Sequence, residues 1–385
     1  MSLRVDPTVT ADLAQYGGDT AVRCFNCGNC TAACSLTDQD SVFPRRYIRY
    51  IQLGLKDKML GSLDPWLCYY CGDCSDTCPR QAQPGNLMMA SRRWLISAYD
   101  WTGLSRLMYR RPWTEFAMLA LVALVVLALF TLPANFGFRL LSQHPEALQS
   151  VNLGHFAPKG IVHNADMILA SLLGLLLLSN AARMIFHVRR HSAVRSPLPY
   201  VAEFGEFVVQ ALTQRRWRDC RAGSEKHWLR HMLIVTAYGS MFILVVVFLS
   251  WFQVEDTSFH WTSLIGYYAT LVLMGASLWI IIDRVKKRDQ IHKQSDLADW
   301  LFVILLFLTS LTGIVMHAAR LLNLPMATYV SYTVHLMIAV PMLVVEVPFG
   351  KWAHLLYRPL AIYMQAVERR QSVVRGRSRE VAVSA

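Results

Sequence analysis

The sequence of 385 residues has no Walker loop and no Gly-x-Gly-x-x-Gly fingerprint, so it offers no motif for cradling a nucleotide phosphate. Cys-x-x-Cys-His is missing too, which excludes covalent attachment of a haem. Residues 1–20 are polar and lack the apolar stretch of a cleavable signal peptide, so the segment behind them is expected not to cross a membrane. Acidic residues number 26 against 38 lysines and arginines, for a formal charge of +12. Such a balance accompanies nucleic-acid binding in some proteins. Here the cations flank apolar runs, so a lipid bilayer accounts for them and no nucleic-acid partner is expected. Long apolar runs are absent before residue 113 and frequent after it. They raise the apolar share to 54% and the mean hydropathy to +0.31, beyond an ordinary soluble protein.

Eight of the nine cysteines fall into two runs, Cys24-x2-Cys27-x2-Cys30-x3-Cys34 and Cys68-x2-Cys71-x2-Cys74-x3-Cys78, the second followed by Pro79. Three thiolates at this spacing wrap one face of a cubane cluster, and in two-cluster ferredoxins the fourth ligates the other cluster. By that rule Cys24, Cys27, Cys30 and Cys78 hold one [4Fe–4S] centre, and Cys68, Cys71, Cys74 and Cys34 hold a second. Four-cysteine zinc sites bring two knuckles of two cysteines rather than four within eleven residues, so the spacing favours iron and sulfur. Disulfides are disfavoured by the same spacing. Ser35 follows Cys34 where the pattern expects proline. Cys220, the ninth cysteine, lies in a basic loop and reads as a bystander thiol.

The expected fold is all-α. Residues 1–20 read as a polar tail and residues 21–112 as a bis-[4Fe–4S] domain. Residues 113–360 read as a bundle of six transmembrane helices and residues 361–385 as a basic tail. Within the cluster domain, Pro44 to Leu55 reads as a helix opened by its proline. The apolar runs at about 114–133, 164–186, 231–252, 263–282, 299–318 and 332–350 each approach the ~20 residues needed to span hydrocarbon. Lysines and arginines number 9, 5 and 7 in segments 187–230, 283–298 and 350–385, against 2, 0 and 1 in segments 134–163, 253–262 and 319–331. The positive-inside rule then places the cluster domain and both termini in the cytoplasm, with the bundle in the inner membrane. Phe204 to Trp217 reads either as an amphipathic helix on the membrane surface or as an ordinary loop helix. Acidic residues inside the runs are few, Glu346 together with edge residues such as Asp166, Asp283 and Asp299, which argues against a transporter.

The 12 histidines collect at the ends of the apolar runs. Ionisable groups at membrane depth are costly and mark function. Beside an iron–sulfur domain, paired histidines point to haem b held between helices, one imidazole from each of two. His335 and His354 bracket the last run and lie about 28 Å apart on a continuous helix, one at each edge of the bilayer. Pro341 and Pro348 lie between them and are expected to kink it. One helix then serves two stacked haems. His231 is the partner at the depth of His354, with His227 one turn earlier as its alternative. For His335 the candidate partners are His163, His317 and, as a thioether, Met241.

The first hundred residues resemble the small iron–sulfur subunit of heterodisulfide reductases, through both cysteine motifs and the linker Pro44-Arg45-Arg46…Ile48-Arg49…Gln52-Leu53-Gly54-Leu55. The membrane part resembles the cytochrome b subunit of respiratory nitrate reductase. Its last span carries His…Pro-Phe…His, as at His335, Pro348-Phe349 and His354, with one residue fewer between the histidines. An earlier span of that family opens on a haem histidine, matched by His231, and carries its second ligand where this chain has Met241. A fusion of the two halves resembles the membrane subunit of the quinone-interacting membrane-bound oxidoreductase (Qmo) complexes, over about residues 21–360. The resemblance implies electron transfer between a membrane quinone such as menaquinone, one or two b haems and two [4Fe–4S] clusters. It also implies cytoplasmic flavin and iron–sulfur subunits as partners, and adenylylsulfate reductase beyond them. The alternative is the membrane subunit of a heterodisulfide reductase-like or sulfite-linked quinol complex. The Cys-Cys-Gly motif that carries disulfide chemistry in such complexes is missing here.

Overall fold

The computed structural model describes residues 4–38, 42–133, 135–220, 224–252, 260–288, 290–293 and 295–384. Its regular elements are all helices, with no strand among the described residues. The segment at 253–259, read above within a cation-free loop, lies outside them.

The cluster domain is built on the helix Pro84–Tyr99, whose first residue, Pro84, suits a turn that has no N–H partner to lose. Leu87, Met88, Leu95 and Tyr99 on it are fully buried. The helix Arg45–Gln52 follows Pro44 as expected and buries Tyr47, Ile48 and Ile51, which share one face at helical spacing. Its Arg46 reaches Asp64, 1% exposed, at 2.6 Å. Residues 9–16 are not a free tail. Val9, Leu13 and Tyr16 are buried in the same core, and Asp12 accepts from the Trp94 indole at 2.8 Å and pairs with Arg110. An apolar residue every three to four positions gave that segment a side to bury, although its composition is polar.

Six helices are long and apolar enough to cross a membrane: Trp113–Thr131, Lys159–His191, Glu225–Val246, Thr262–Val285, Leu297–Leu321 and Pro325–Phe349. They coincide with the six expected runs, the pattern of a multi-pass membrane protein. The last packs against the first and the fifth, and the fourth lies between the third and the fifth.

Two expectations about the last third of the chain are corrected. The helix carrying His335 does not continue to His354. It keeps Pro341 and Pro348 in its interior, stops at Gly350, whose backbone is extended, and passes through a short 3-10 turn, Lys351–Ala353. His354 then opens a new helix, His354–Ser384. That helix is not a loose basic tail either. It turns back along the cluster domain and buries Tyr357, Leu360, Ala361, Met364 and Val367, with the Tyr357 and Trp66 rings 5.0 Å apart. Phe204–Thr213 is helical. It lays Phe204 and Phe207 against Tyr363 and leaves Val208 and Leu212 exposed.

Candidate functional site

The two cysteine runs fold into the same turn. Asn26 and Tyr70, each two residues past the first cysteine of a run, take the left-handed conformation at φ 59°. Their N–H groups each donate to that cysteine's sulfur at 3.3 Å. Gly28 and Gly72, at φ 98° and 95°, then reverse the chain into the short helices Asn29–Ala32 and Asp73–Asp76, a conformation that costs an L side chain strain. Cys24, Cys27, Cys30 and Cys78 line one small pocket, with Arg45 and Arg80 at its wall. Cys34, Cys68, Cys71 and Cys74 are electrostatic neighbours at a second point. The fourth cysteine of each run thus lies with the first three of the other. Four thiols round one point suit a cubane cluster. Burial pushes the Cys30 thiol up to about 11 and raises those of Cys24, Cys34 and Cys68. Thiols of that kind become thiolates when a metal's positive charge draws off the proton.

Cys220 is not a bystander. Its thiol is buried, and its presence beside Cys71 brings the Cys71 thiol down to about 7. Ser35, the residue in place of the expected proline, hydrogen-bonds through its hydroxyl to the carbonyls of Asp219 and Cys220. Both contacts join distant stretches of chain, and neither carries a local sequence signal.

His231, on the third membrane helix, and His354 meet at the cluster-domain end of the bundle. Their ring centres are 5.9 Å apart and their planes 66° from parallel. Two imidazoles bound to one metal at about 2.0 Å each have ring centres roughly 6 Å apart, so the pair fits a shared axial metal. The Nδ1–H of His354 donates to the Lys351 carbonyl, which leaves Nε2 as the ligating nitrogen. Burial, with Arg358 next, holds His354 far below the ordinary histidine range and hence neutral, the form a metal requires. Nδ1 of His231 is buried without a partner. His227 turns instead to Arg230, 3.0 Å from its Nδ1.

The far end of the bundle is less assembled. His335 Nδ1 lies 3.0 Å from the Thr312 hydroxyl, and its ring rests on Gly313. His317 Nε2 meets the Tyr267 hydroxyl at 2.7 Å. His163 is exposed and Met241 half-buried. No ring contact among the described residues brings His163 or His317 to His335. Nearby, ligand atoms of His144, Glu146 and His155 lie within 4.8 Å of one another, on side chains 38%, 57% and 37% exposed.

A packed bridge joins the histidine pair to the second cysteine set. The Trp217 ring stands 4.9 Å from His231 and 5.2 Å from Tyr69, the residue after Cys68. Arg358, one turn past His354, lies over the Tyr69 ring at 4.5 Å and donates to the carbonyls of Trp66 at 3.3 Å and Cys68 at 3.4 Å. Arg92 also donates to the Cys68 carbonyl, and burial, with Arg358 beside it, brings its guanidinium down to about 9.

The family described as 4Fe-4S dicluster domain matches residues 23–83. Those residues are an iron–sulfur dicluster domain. A protein of Archaeoglobus profundus similar to the C subunit of heterodisulfide reductase is 29% identical over 96 residues, 25% of this chain and 51% of its own. The C subunit of the H2:CoB-CoM heterodisulfide,ferredoxin reductase of Methanothermobacter marburgensis is 30% identical over 88 residues, 23% of this chain and 48% of its own. The iron–sulfur C subunit of the CoB–CoM heterodisulfide reductase of Methanopyrus kandleri is 35% identical over 69 residues, 18% and 36%. The chain spans about half the length of the first two relatives and about a third of the last. No solved structure matches it. The similarity is confined to the dicluster domain and does not extend to the six apolar helices.

Proposed function

We propose that this chain is the membrane subunit of a quinone-linked oxidoreductase. It passes electrons between the quinone pool and soluble flavin and iron–sulfur subunits through haem b and two [4Fe–4S] clusters. Cys24, Cys27, Cys30 and Cys78 hold one cluster, and Cys34, Cys68, Cys71 and Cys74 the other. His231 and His354 would hold the haem iron between them. When bound, the haem and clusters supply one-electron redox steps; the chain's own residues set their spacing and surroundings. The observation that carries this reading is the bridge His231–Trp217–Tyr69–Cys68, which leaves no apolar gap between the membrane histidines and the second cluster's cysteines. The cationic loops support a cytoplasmic location for this end, and adenylylsulfate reductase is the redox enzyme expected beyond the soluble partners.

The test is spectroscopic. His354→Ala and His231→Ala each remove one axial ligand of the same iron, so each abolishes the same reduced haem b band and quinone-linked reduction of the clusters. Dithionite still reduces the clusters, because their ligands all precede residue 79. Full haem content and quinone-linked transfer in both variants sinks the assignment. A second reading, the membrane arm of a heterodisulfide reductase-like complex, is favoured by the names of the relatives. It differs in the soluble partner that co-purifies.

A further inference from the structure

Two carboxyl groups lie inside the bundle facing each other. Glu115 stands in the first turn of the first membrane helix and Glu346 in the last turn of the sixth, 2% and 1% exposed. Nothing in the sequence marks Glu115, which sits at the very start of an apolar run. The two helices pack against each other, each carboxyl is an electrostatic neighbour of the other, and each keeps its Oε1 buried with no donor. An ionised carboxylate only accepts, so two ionised groups leave that contact unmade and repulsive. One proton between them supplies the missing donor and removes the repulsion, as in paired catalytic carboxyls.

The surrounding charges do not replace that proton. Asp296 and Asp299 face the pair from the start of the fifth membrane helix, and Tyr109 from the helix before the first. The Lys351 ammonium is bound to Asp299, Arg284 donates to the Asp299 carbonyl, and Arg93 pairs with Asp296 at 3.1 Å. The nearby cations are thus engaged with the aspartates. Instead, Glu346 Oε2 accepts the backbone N–H of Lys351 at 3.0 Å. A Cβ at position 350 would run into that carboxylate, so Gly350 makes the room it occupies. The same Lys351 offers its carbonyl to His354 Nδ1–H. One residue's main chain therefore couples the carboxyl pair to the histidine pair.

We propose that Glu115 and Glu346 form a proton-binding carboxyl pair whose proton uptake is linked to arrival of an electron at the His231–His354 site. The linkage rests on the haem reading above; the shared proton stands on the carboxyls alone. One electron entering the site from a quinol or another reductant adds one negative charge. One proton taken from water at the cluster-domain end onto the pair, second to the one the carboxyls already share, balances it. A site of this kind suits a donor that releases protons together with electrons, as a quinol does.

The full chain in detergent, wild type beside E115Q/E346Q, gives two readouts. Infrared spectra at neutral pH show the carbonyl band of a buried protonated carboxyl in the wild type and lose it in the double variant; identical spectra overturn the shared proton. The midpoint potential of the haem band falls with pH in the wild type, by up to about 59 mV per unit for one proton per electron. It becomes flat in the double variant, and an unchanged slope overturns the linkage. If no haem band exists at all, the linkage falls with the haem reading, while the infrared comparison still decides the proton. Cluster EPR signals report folding. Should the double variant fail to fold, E115Q and E346Q singly carry the same comparisons, the band and the slope shifting in each.

Discussion

The indole of Trp217 packs against the imidazole of His231, ring centres 4.9 Å apart, and also against Tyr69 in the dicluster domain. Trp217→Ala opens a gap in this bridge and removes an aromatic contact of about 1 kcal/mol. It should leave haem and cluster content intact and slow electron transfer between them several-fold. Stopped-flow absorbance at the haem band after quinol addition measures this; an unchanged rate rules out the bridge as the route.

Cluster cross-ligation gives a second expectation. Cys78 lines the cavity of Cys24, Cys27 and Cys30, so Cys78→Ser should impair that centre and spare the one at Cys68. Iron counting with EPR distinguishes the two. Loss confined to the Cys68 centre would refute the exchange.

Cys220 gives a third. Its buried thiol lies beside Cys71 without being one of the four ligands. Hydrogen bonds to cluster sulfurs tune potential, so Cys220→Ala should keep both clusters and lower the potential of the second, whereas Cys220→Ser, which retains a donor, should shift it less. An EPR redox titration that places all three proteins at one potential contradicts the role.

Orientation is the fourth. The segments at the cluster-domain end hold nearly all the loop cations. A reporter fused after Ala385 should read cytoplasmic; an external signal overturns the orientation and the location of the soluble partners.

What the sequence made legible follows from the range of the forces involved. Cysteine spacing is local, and the folded turns at Asn26 and Tyr70 realise it. Hydropathy is a property of each run, so all six membrane helices emerged from it. The break at Gly350 has no such signal, because Pro341 and Pro348 look like stronger interruptions, yet the helix absorbs both. The decisive fact there is steric, the room Glu346 needs. Cys220, Ser35, Trp217 and Arg358 were illegible for another reason. Each acts through contacts with residues far along the chain, and periodicity does not register them.

The helix opening at His354 has a consequence for how the molecule is made. Arg358 caps the Cys68 carbonyl from 290 residues further along. During synthesis, therefore, the face of the dicluster domain around Trp66 and Cys68 stands uncovered while all six membrane helices are inserted. When the helix folds back over Trp66, it covers that face and in the same movement brings His354 to His231. Closure of the dicluster face and pairing of the two histidines are thereby one event, and it follows the making of all six apolar helices.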